Sequence, residues 1–260
     1  MTTKRWFYVS AGLLVVLSIS AGLNLGLYRF AEAQYRALHR VRLDPTSARH
    51  FRSANAALPA PDPGDARIVF FGDSRIADWE PLPSVPGAQL VNRGRGGETT
   101  EQLLLRLERD VVALSPDVVV LQAGVNDLVA IGPLPQRARE IVERCHSNLE
   151  QIVARLEAAD IRVVVMTILP AGAVPLQRRP VWSDQTRDAI ELINDRLRST
   201  DRAGTGSVVV DCDAAVGGGR RMMPDYELDT LHLNALGYET LEALIEPILA
   251  GLVQSGDGPG

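Results

Sequence analysis

Short continuous apolar runs alternate with longer amphipathic stretches along most of this chain. Five of the short runs are apolar on consecutive positions and mostly rich in valine, which is typical of strands buried on both faces. They cover residues 67–72, 88–92, 117–123, 161–168 and 207–211. Between and after them, apolar residues recur every three or four positions and predict helices over residues 98–114, 136–159, 183–200 and 234–253. Ser183 is the expected N-cap of the third of these helices.

Strands that alternate with helices in this way form a parallel sheet with right-handed crossovers and helices on both faces. The sequence therefore predicts an α/β protein, a three-layer α/β/α sandwich around a five-stranded parallel sheet of flavodoxin-like topology. In such sheets the ligand crevice lies beyond the carboxyl ends of the strands. The loops that begin at residues 72, 92, 124, 169 and 212 are thus expected to carry any chemistry.

The amino-terminal segment has a different pattern, because residues 6–28 contain no charged side chain and follow Lys4 and Arg5. As a helix this stretch would be about 34 Å long, enough for a hydrocarbon core of about 30 Å and longer than the core of a secretory signal. Residues 1–28 are expected to form a signal anchor, a single-pass transmembrane helix with the rest of the chain outside the cytoplasmic membrane. Two alternatives stay open: a signal peptide cleaved at the small residues Ala31 and Ala33, which would leave a secreted or periplasmic protein, and a buried helix.

Breaks in the pattern predict the domain boundaries. Residues 29–65 are expected to be a connector, since prolines at 59, 61 and 63 and Gly64 interrupt regular structure. The folded domain is expected over residues 66–254. Residues 255–260, SGDGPG, are expected to form a flexible tail.

Composition excludes several classes of protein. With 260 residues, 46% hydrophobic and 23% charged, the chain is not wholly disordered. Its net charge of −5 argues against a nucleic-acid partner. Cys145 and Cys212 are too few for a disulfide framework or a four-cysteine zinc site. They could pair in an oxidising compartment, but buried free thiols are the expectation. Nothing in the sequence indicates the oligomeric state.

Polar residues follow the predicted strands. Ser74, after Gly72 and Asp73, would lie at a strand-to-helix junction, where glycine permits a tight turn and the hydroxyl can face the crevice; the alternative is a serine N-cap. The glycine block at residues 92–100 can present backbone N–H groups to a ligand. It lacks the Gly-Lys-Ser/Thr of a P-loop, and Thr99 departs from the dinucleotide pattern. A plain turn is its alternative.

Two further loops carry candidate groups. Asn126 can point side-chain N–H donors into the crevice, unless it is only a turn residue, and Asp127 is expected to anchor its loop or cap a helix. Asp229 precedes His232 by three residues, so its carboxylate can hold Nδ1 and leave Nε2 free as a base. The alternative is a capping aspartate beside a surface histidine. The other three histidines have no such setting; they are His39, His50 and His146.

These blocks, in this order, resemble the SGNH hydrolases, also called the GDSL esterase/lipase family, over about residues 66–252. The resemblance implies that Ser74 is the nucleophile and that Asp229 and His232 complete the triad. It implies an oxyanion hole made by the Ser74 and Gly97 amides and the Asn126 side chain, with no metal or organic cofactor. Arg75, Glu98 and Leu233 depart from the usual family pattern, and Arg75 and Leu233 are expected to reshape the pocket.

The family implies a serine esterase acting on a carboxylic ester, such as a short-chain acyl ester, a lysophospholipid or an O-acetylated envelope glycan. An acyltransferase with the same triad and a non-catalytic envelope-binding protein remain alternatives. Residues 170–182 and 212–228 are expected to frame the pocket. Their arginines could meet anionic headgroups or sugars and their methionines an acyl chain, or they could form a solvated rim; they are Arg178, Arg179, Arg220, Arg221, Met222 and Met223, beside Trp182.

Overall fold

A computed structural model describes residues 2–44, 49–200, 202, 204 and 206–255 of the chain. The chain divides into two compact units, residues 1–48 and 49–260. The predicted tail lies outside the described residues apart from Ser255, which ends the last helix.

The amino-terminal unit contains the helix α1 (Thr2–Leu43), which continues well past the uncharged stretch. From Lys4 to Leu43 it is long and apolar enough to cross a membrane, and in the described chain it is the one helix that meets this criterion. Its most apolar window of 18 residues has a mean hydropathy of 1.8, and none of that window is buried.

Within the described residues, the second unit is built on one sheet of five parallel strands in the order β2-β1-β3-β4-β5. The strands are β1 (Ala66–Gly72), β2 (Ala88–Gly94), β3 (Val118–Gln122), β4 (Arg162–Met166) and β5 (Val208–Val210). This is the flavodoxin-like order, and the predicted sheet is confirmed. Chain reversal around β1 leaves a crevice beyond the carboxyl ends of β1 and β3.

Helices cover both faces of this sheet. They are α2 (Arg52–Ala56), α3 (Ser74–Ala77), α4 (Thr100–Asp110), α5 (Val125–Leu128), α6 (Ala138–Glu157), α7 (Gln185–Ser199), α8 (Cys212–Val216) and α9 (Ala235–Ser255). α4 starts two residues later than predicted, because Thr99 and Gln102 form a capping box. α7 starts at Gln185 with Asp184 at the N-cap position, so the N-cap prediction for Ser183 is wrong, although its hydroxyl accepts from the Gln185 amide at 3.2 Å.

Two hydrophobic clusters lie on opposite faces of the sheet. One contains inward side chains of α4, α6 and α7 packed on Val69 and Phe71, and the other contains α9 and α8 packed on Ile68 and Phe70. Alternate residues of β1 therefore enter opposite cores. The first cluster holds Cys145 and the second holds Cys212, both fully buried and free. The expectation of buried free thiols is confirmed.

The folded unit includes residues that precede β1. Asn55 of α2 donates to the Asp110 carboxylate at 3.1 Å and accepts from Arg93 Nε at 2.8 Å. The Phe51 ring lies under the guanidinium groups of Arg93 and Arg106, 5.0 and 5.3 Å from their central carbons. Part of the segment expected to be a connector is thus packed on the domain.

Crowding explains the glycine at the end of β1. A Cβ on Gly72 would lie 2.0 Å from the Gln122 carbonyl oxygen and 2.6 Å from an Ile76 side-chain atom. Only a residue without a side chain therefore fits where β1, β3 and α3 converge. The φ angle of Gly72 is not in the left-handed region, so a tight turn is not the reason for glycine at this position. This convergence sets the position of the residue that starts α3.

Candidate active site

Ser74 is the first residue of α3, directly beyond the carboxyl end of β1, and its side chain is half-buried. The preceding residue, Asp73, is fully buried and caps the helix, since its Oδ1 accepts from the Arg75 amide at 3.0 Å. Burial raises the pKa of Asp73 to about 6, although the Arg75 guanidinium and amide act in the opposite direction. The buried Asp73 side chain thus fixes the turn that carries the Ser74 hydroxyl.

His232 and Asp229 lie in a tight loop closed by an antiparallel bridge between Glu227 and Leu233. The Nε2 atom of His232 is 3.0 Å from Ser74 Oγ. Its Nδ1 atom is 2.9 Å from Asp229 Oδ2 and 3.0 Å from Oδ1. The structure therefore joins hydroxyl, imidazole and carboxylate in one hydrogen-bonded line across 158 residues of sequence.

Hydrogen bonds within this loop determine the charge state of Asp229. Partial burial alone would raise its pKa, but hydrogen bonds from the Leu231 amide and from the imidazole and amide of His232 outweigh burial and lower the pKa. Oδ1 accepts the two amides at 2.8 and 3.0 Å, which leaves Oδ2 directed to Nδ1. An ionised carboxylate at this position favours the tautomer with the proton on Nδ1.

The glycine block and Asn126 meet beside Ser74. A Cβ built on Gly96 would lie 3.9 Å from Ser74 Cβ, and Gly97 has a φ of +78°, which favours glycine. Asn126 Nδ2 donates to the Glu98 carbonyl at 2.9 Å, one residue after Gly97. An amide nitrogen carries two hydrogens, so this bond uses only one of them.

Buried charges support the glycine block, and sequence reasoning did not foresee them. Glu98 is 2% exposed and Arg106 is fully buried; Arg106 Nε donates to the Glu98 carboxylate at 2.6 Å. Nη2 of Arg106 also donates to the Gly72 and Arg93 carbonyls. One guanidinium thus connects the end of β1 to the block beside it. The sequence did carry one indication of these buried charges, because Arg106 is a charged residue on the face of the predicted helix that is buried.

Asp127 attaches its own loop to the start of α4, in line with the expectation that it anchors its loop. Its carboxylate accepts from the backbone amide of Thr100 at 2.8 Å and from the Thr100 hydroxyl at 2.7 Å. Burial raises the pKa of Asp127, although both Thr100 hydrogen bonds oppose that shift. The Asn126 loop is thereby attached to the helix that follows the glycine block.

The expectation that Arg75 and Leu233 reshape the pocket is wrong, because both side chains are buried, 1% and 2% exposed. Nε of Arg75 donates to the Leu231 carbonyl and Nη1 donates to the Leu169 carbonyl, each at 2.8 Å. The buried guanidinium therefore holds the histidine loop through the Leu231 carbonyl. Leu233 packs in the second hydrophobic cluster.

Two cavities open near these groups. A groove of about 360 Å³, called here the apolar groove, is lined by Asn126, Val129, Ala130, Pro133, Arg178, Val181, Trp182 and Leu231. A second cavity of about 410 Å³ contains Arg179 and Arg221 and shares Trp182 with the groove. Met222 is 2% exposed and belongs to the second hydrophobic cluster, so it does not line the apolar groove. Within the described residues, no three His, Cys, Asp or Glu side chains cluster in a way that could hold a metal ion.

The arrangement has a definite chemical capacity. An imidazole between a carboxylate and a serine hydroxyl can remove the hydroxyl proton and return it to a leaving group. N–H donors beside the serine can stabilise an oxyanion. These are the components of nucleophilic acyl transfer.

Known proteins share this architecture. The model of the GDSL-like lipase/acylhydrolase family matches residues 61–240. A Bacteroides fragilis protein provisionally named as an acylhydrolase is 28% identical, with a TM-score of 0.66 over 80% of this chain and 98% of that chain. A GDSL-like lipase from Bacteroides thetaiotaomicron is 26% identical, with a TM-score of 0.65 over 81% and 98%.

A relative of known sequence matches more narrowly. The uncharacterised lipoprotein YqeF of Bacillus subtilis (strain 168) is 28% identical over 120 residues, which is 40% of this chain and 48% of that protein. The chain thus spans about half the length of the curated relative that it matches.

Proposed function

Because the chain belongs to the GDSL-like lipase/acylhydrolase family, we propose that it is a serine esterase that hydrolyses a carboxylic ester through Ser74, His232 and Asp229. One observation carries this proposal. His232 Nε2 lies 3.0 Å from Ser74 Oγ while the Asp229 carboxylate lies 2.9 Å from Nδ1. That is the range in which a general base can take a proton from a nucleophile.

The first half of the reaction forms an acyl-enzyme. His232 Nε2 takes the Ser74 proton as Oγ attacks the ester carbonyl carbon, and the carbonyl π electrons move to oxygen. The imidazolium is stabilised by Asp229, whose lowered pKa keeps it ionised. When the tetrahedral intermediate collapses, the bond to the alcohol oxygen breaks and Nε2–H protonates that oxygen. Water then repeats the sequence on the acyl-serine and releases the acid.

The oxyanion is proposed to bind the amides of Ser74 and Gly97 and the side chain of Asn126. The amide of Ser74 lies at the start of a helix, and Gly97 lies in the block that approaches Ser74 Cβ. The bond from Asn126 to the Glu98 carbonyl keeps its amide beside Gly97. These donors are attached to β1, to the glycine block and to the loop after β3, so they would be in place before the substrate binds.

The substrate is proposed to be a small acyl ester. The apolar groove begins at Asn126 and is walled mainly by Val129, Ala130, Val181 and Leu231. Apolar walls next to an oxyanion donor suit the acyl group of a short-chain ester. A lysophospholipid and an O-acetylated envelope glycan remain the two biological classes to compare.

The test is a series of 4-nitrophenyl esters of increasing acyl length, hydrolysed by the full-length protein in detergent and by Ser74→Ala. Removing the nucleophile should lower kcat by about 10⁴-fold or more. Ser147→Ala removes an exposed hydroxyl on α6 and should leave the rate unchanged. A fluorophosphonate probe should label the wild type and the Ser147 variant only.

Three results would redirect the proposal. If hydrolysis proceeds at the wild-type rate in Ser74→Ala, the assigned nucleophile is wrong. If an added sugar or glycerol acceptor takes most of the acyl group, the protein is a transferase with the same residues. A wild-type protein that the probe leaves unlabelled would favour a binding role without catalysis.

The location is proposed to be a membrane, with the catalytic unit outside the cytoplasm. The support is helix α1, whose uncharged stretch, residues 6–28, follows Lys4 and Arg5. Intact mass of the protein extracted from membranes distinguishes a retained anchor from cleavage at Ala31 and Ala33. Protease added to intact cells or spheroplasts should degrade the domain if its predicted orientation is right.

A further inference from the structure

A positively charged cavity lies next to the apolar groove. It has a volume of about 410 Å³ and is called here the arginine pocket. Its walls include three arginines, one aromatic ring and one carboxylate: Arg179, Arg187, Arg221, Trp182 and Asp184. Three guanidinium groups around one small cavity repel one another. Such a cluster is unusual, particularly in a protein whose net charge is negative.

The lining of the arginine pocket includes a buried charged side chain, that of Arg187. The residue is only 7% exposed, although it belongs to the first turn of α7. Nη1 donates to Asp184 at 2.6 Å and Nη2 donates weakly to the Gly172 carbonyl at 3.4 Å. Among the described residues, Nε of Arg187 has no acceptor although it is buried. A buried donor without a partner is costly, and an anion would supply the missing acceptor.

Trp182 contributes a second buried N–H donor that lacks an acceptor among the described residues, its indole Nε1. The Arg187 guanidinium lies over the Trp182 ring at 5.8 Å from the centroid, so the two residues are neighbours in the pocket lining. Two unsatisfied donors on neighbouring pocket residues indicate a site for an acceptor rather than an isolated packing defect.

The charge balance also favours an anion. Burial lowers the pKa of Arg187, and the positive charges of Arg221 and Arg220 lower it further, while Asp184 opposes them. Asp184 is the acidic member of the lining, and Glu227 accepts from the Ala173 amide at the edge of the pocket. Three positive groups therefore face one carboxylate in the lining, with a second at the rim.

The position of the pocket relates it to the leaving alcohol. Ala173, which lines the pocket, accepts from the Thr230 hydroxyl at 2.9 Å, and the Gly172 amide donates to the Thr230 carbonyl at 2.8 Å. Thr230 lies between Asp229 and His232, whose Nε2 must protonate the leaving oxygen. The pocket wall is thus attached to the histidine loop, which also contributes Leu231 to the apolar groove. We place the arginine pocket on the alcohol side because this loop carries the Nε2 that protonates the leaving oxygen, and the acyl side at the Asn126 end of the groove.

We infer that the arginine pocket binds an anionic group, a carboxylate or a phosphate, on the alcohol half of the ester. This inference rests on the proposed esterase function. It assigns the apolar groove to the acyl half and makes the preferred substrate an ester whose alcohol carries negative charge.

The test compares three acetates of meta-substituted phenols with the full-length protein in detergent. The substituents are carboxylate, phosphate monoester and neutral carboxamide, and each rate is divided by the hydroxide-catalysed rate of the same ester to remove leaving-group reactivity. At least one anionic ester should exceed the carboxamide in kcat/KM by about tenfold, as expected for one charge-assisted hydrogen bond. The better of the two anions identifies the class of headgroup. Equal values for all three would overturn the inference.

Arginine variants locate the preference. The double variant Arg179→Gln/Arg221→Gln changes exposed pocket residues and should abolish the preference for the anionic esters over the carboxamide ester. Arg220→Gln is the matched control, because Arg220 is adjacent in sequence but pairs with Asp188 and Glu191 on α7. If Arg220→Gln loses the preference as fully as the double variant, bulk surface charge explains it and the pocket assignment is wrong. Arg187→Gln, checked for wild-type thermal unfolding, should also lose the anion preference, and a folded variant that keeps the full preference would overturn the role given to this buried donor.

An acyl-side pair separates the two halves of the substrate. 4-Nitrophenyl hydrogen adipate carries its charge on the acyl group, and the methyl ester of the same adipate is neutral. The charged member should show no advantage, and a clear advantage would overturn the assignment to the alcohol half. Failure of the esterase proposal would look different: Ser74→Ala would then keep its activity on every ester.

Discussion

The two sides of the proposed catalytic cleft are held in different ways. On the nucleophile side, the supporting side chains are charged and almost completely buried: Asp73, Glu98 and Arg106 are at most 2% exposed. On the base side, the side chains of Asp229 and His232 are 46% and 26% exposed and are held by bonds inside their own loop. Buried networks fix positions because water cannot compete, whereas an exposed loop keeps a proton-transferring group in contact with solvent.

Arg75 connects the two sides. It is the residue after Ser74, yet its guanidinium donates to the Leu231 carbonyl in the histidine loop, and its own carbonyl accepts from the Tyr238 hydroxyl at 2.9 Å. The exposed loop is therefore attached to the buried network through Arg75. The difference between the sides should appear in how each responds to substitution.

The largest effect is expected from Asp229→Asn. The asparagine oxygen can still accept the Leu231 and His232 amides, which leaves its NH₂ group opposite Nδ1 of His232. That NH₂ forces the tautomer with the proton on Nε2, which cannot accept from Ser74. We expect kcat to fall by about 10⁴-fold with an unchanged fold, as a wrong tautomer requires. Steady-state kinetics and circular dichroism measure both, and a fall of less than tenfold would show that the exposed carboxylate has no role in orienting the base.

Asn126→Ala should have the next largest effect. It removes one donor to the oxyanion and the bond to the Glu98 carbonyl, so kcat should fall by about 10²–10³-fold while KM changes little. Asn126→Asp keeps the shape but replaces donors with a negative charge and should be at least as damaging. If Asn126→Ala raises KM and spares kcat, the side chain binds substrate rather than the transition state.

Arg75→Met tests the connection between the sides. The carbonyls of Leu231 and Leu169 lose their donor in the interior, so the free energy of unfolding should fall by about 2–4 kcal/mol. Because the histidine loop is released, kcat should also fall by about tenfold at a temperature where the variant is folded. Urea denaturation and kinetics measure the two effects. If the variant loses stability but keeps the wild-type kcat, the histidine loop does not need Arg75 to hold His232 in position.

Asp73→Asn should have the smallest effect, and it concerns pH. The folded-state pKa of Asp73 is about 6, above the ordinary value of 3.8. The folded protein therefore binds this proton more tightly than the unfolded chain, and stability falls as pH rises from about 4 to about 6. Asparagine cannot lose a proton, so the variant should gain about 2–3 kcal/mol relative to wild type between those pH values. Urea denaturation at several pH values gives this difference, and parallel curves would show that Asp73 is not strained by its burial.

The sheet and the contact between Asp229 and His232 could be predicted from the sequence for the same reason. Runs such as residues 161–168 and the pair Asp229 and His232 are local patterns, and their geometry follows from a few neighbouring residues. The nucleophile side was harder. Glu98 and Arg106 bond to each other and to the end of β1, so their contacts depend on packing between elements that are distant in sequence.

Arg187 shows what a closer examination of the pattern could have found. It lies three residues before Ile190 on the buried face of α7, so a charge occupies a position where an apolar residue is expected. Such a position predicts a buried charge, but not the cavity that it lines, because Ala173 and Arg221 reach that cavity from other parts of the chain. Arg75 was misread for a similar reason, since its neighbours in sequence do not include the carbonyls that it binds.

The two cysteines provide a built-in reporter of local breathing. Cys145 and Cys212 lie in cores on opposite faces of the sheet, and burial raises the pKa of both thiols, so each becomes reactive to a maleimide only when its own layer of helices opens. Counting maleimide adducts on each cysteine over time would therefore show whether the layer of α4, α6 and α7 separates from the sheet before the layer of α8 and α9 does. A native protein that fluctuates in halves would modify one cysteine long before the other.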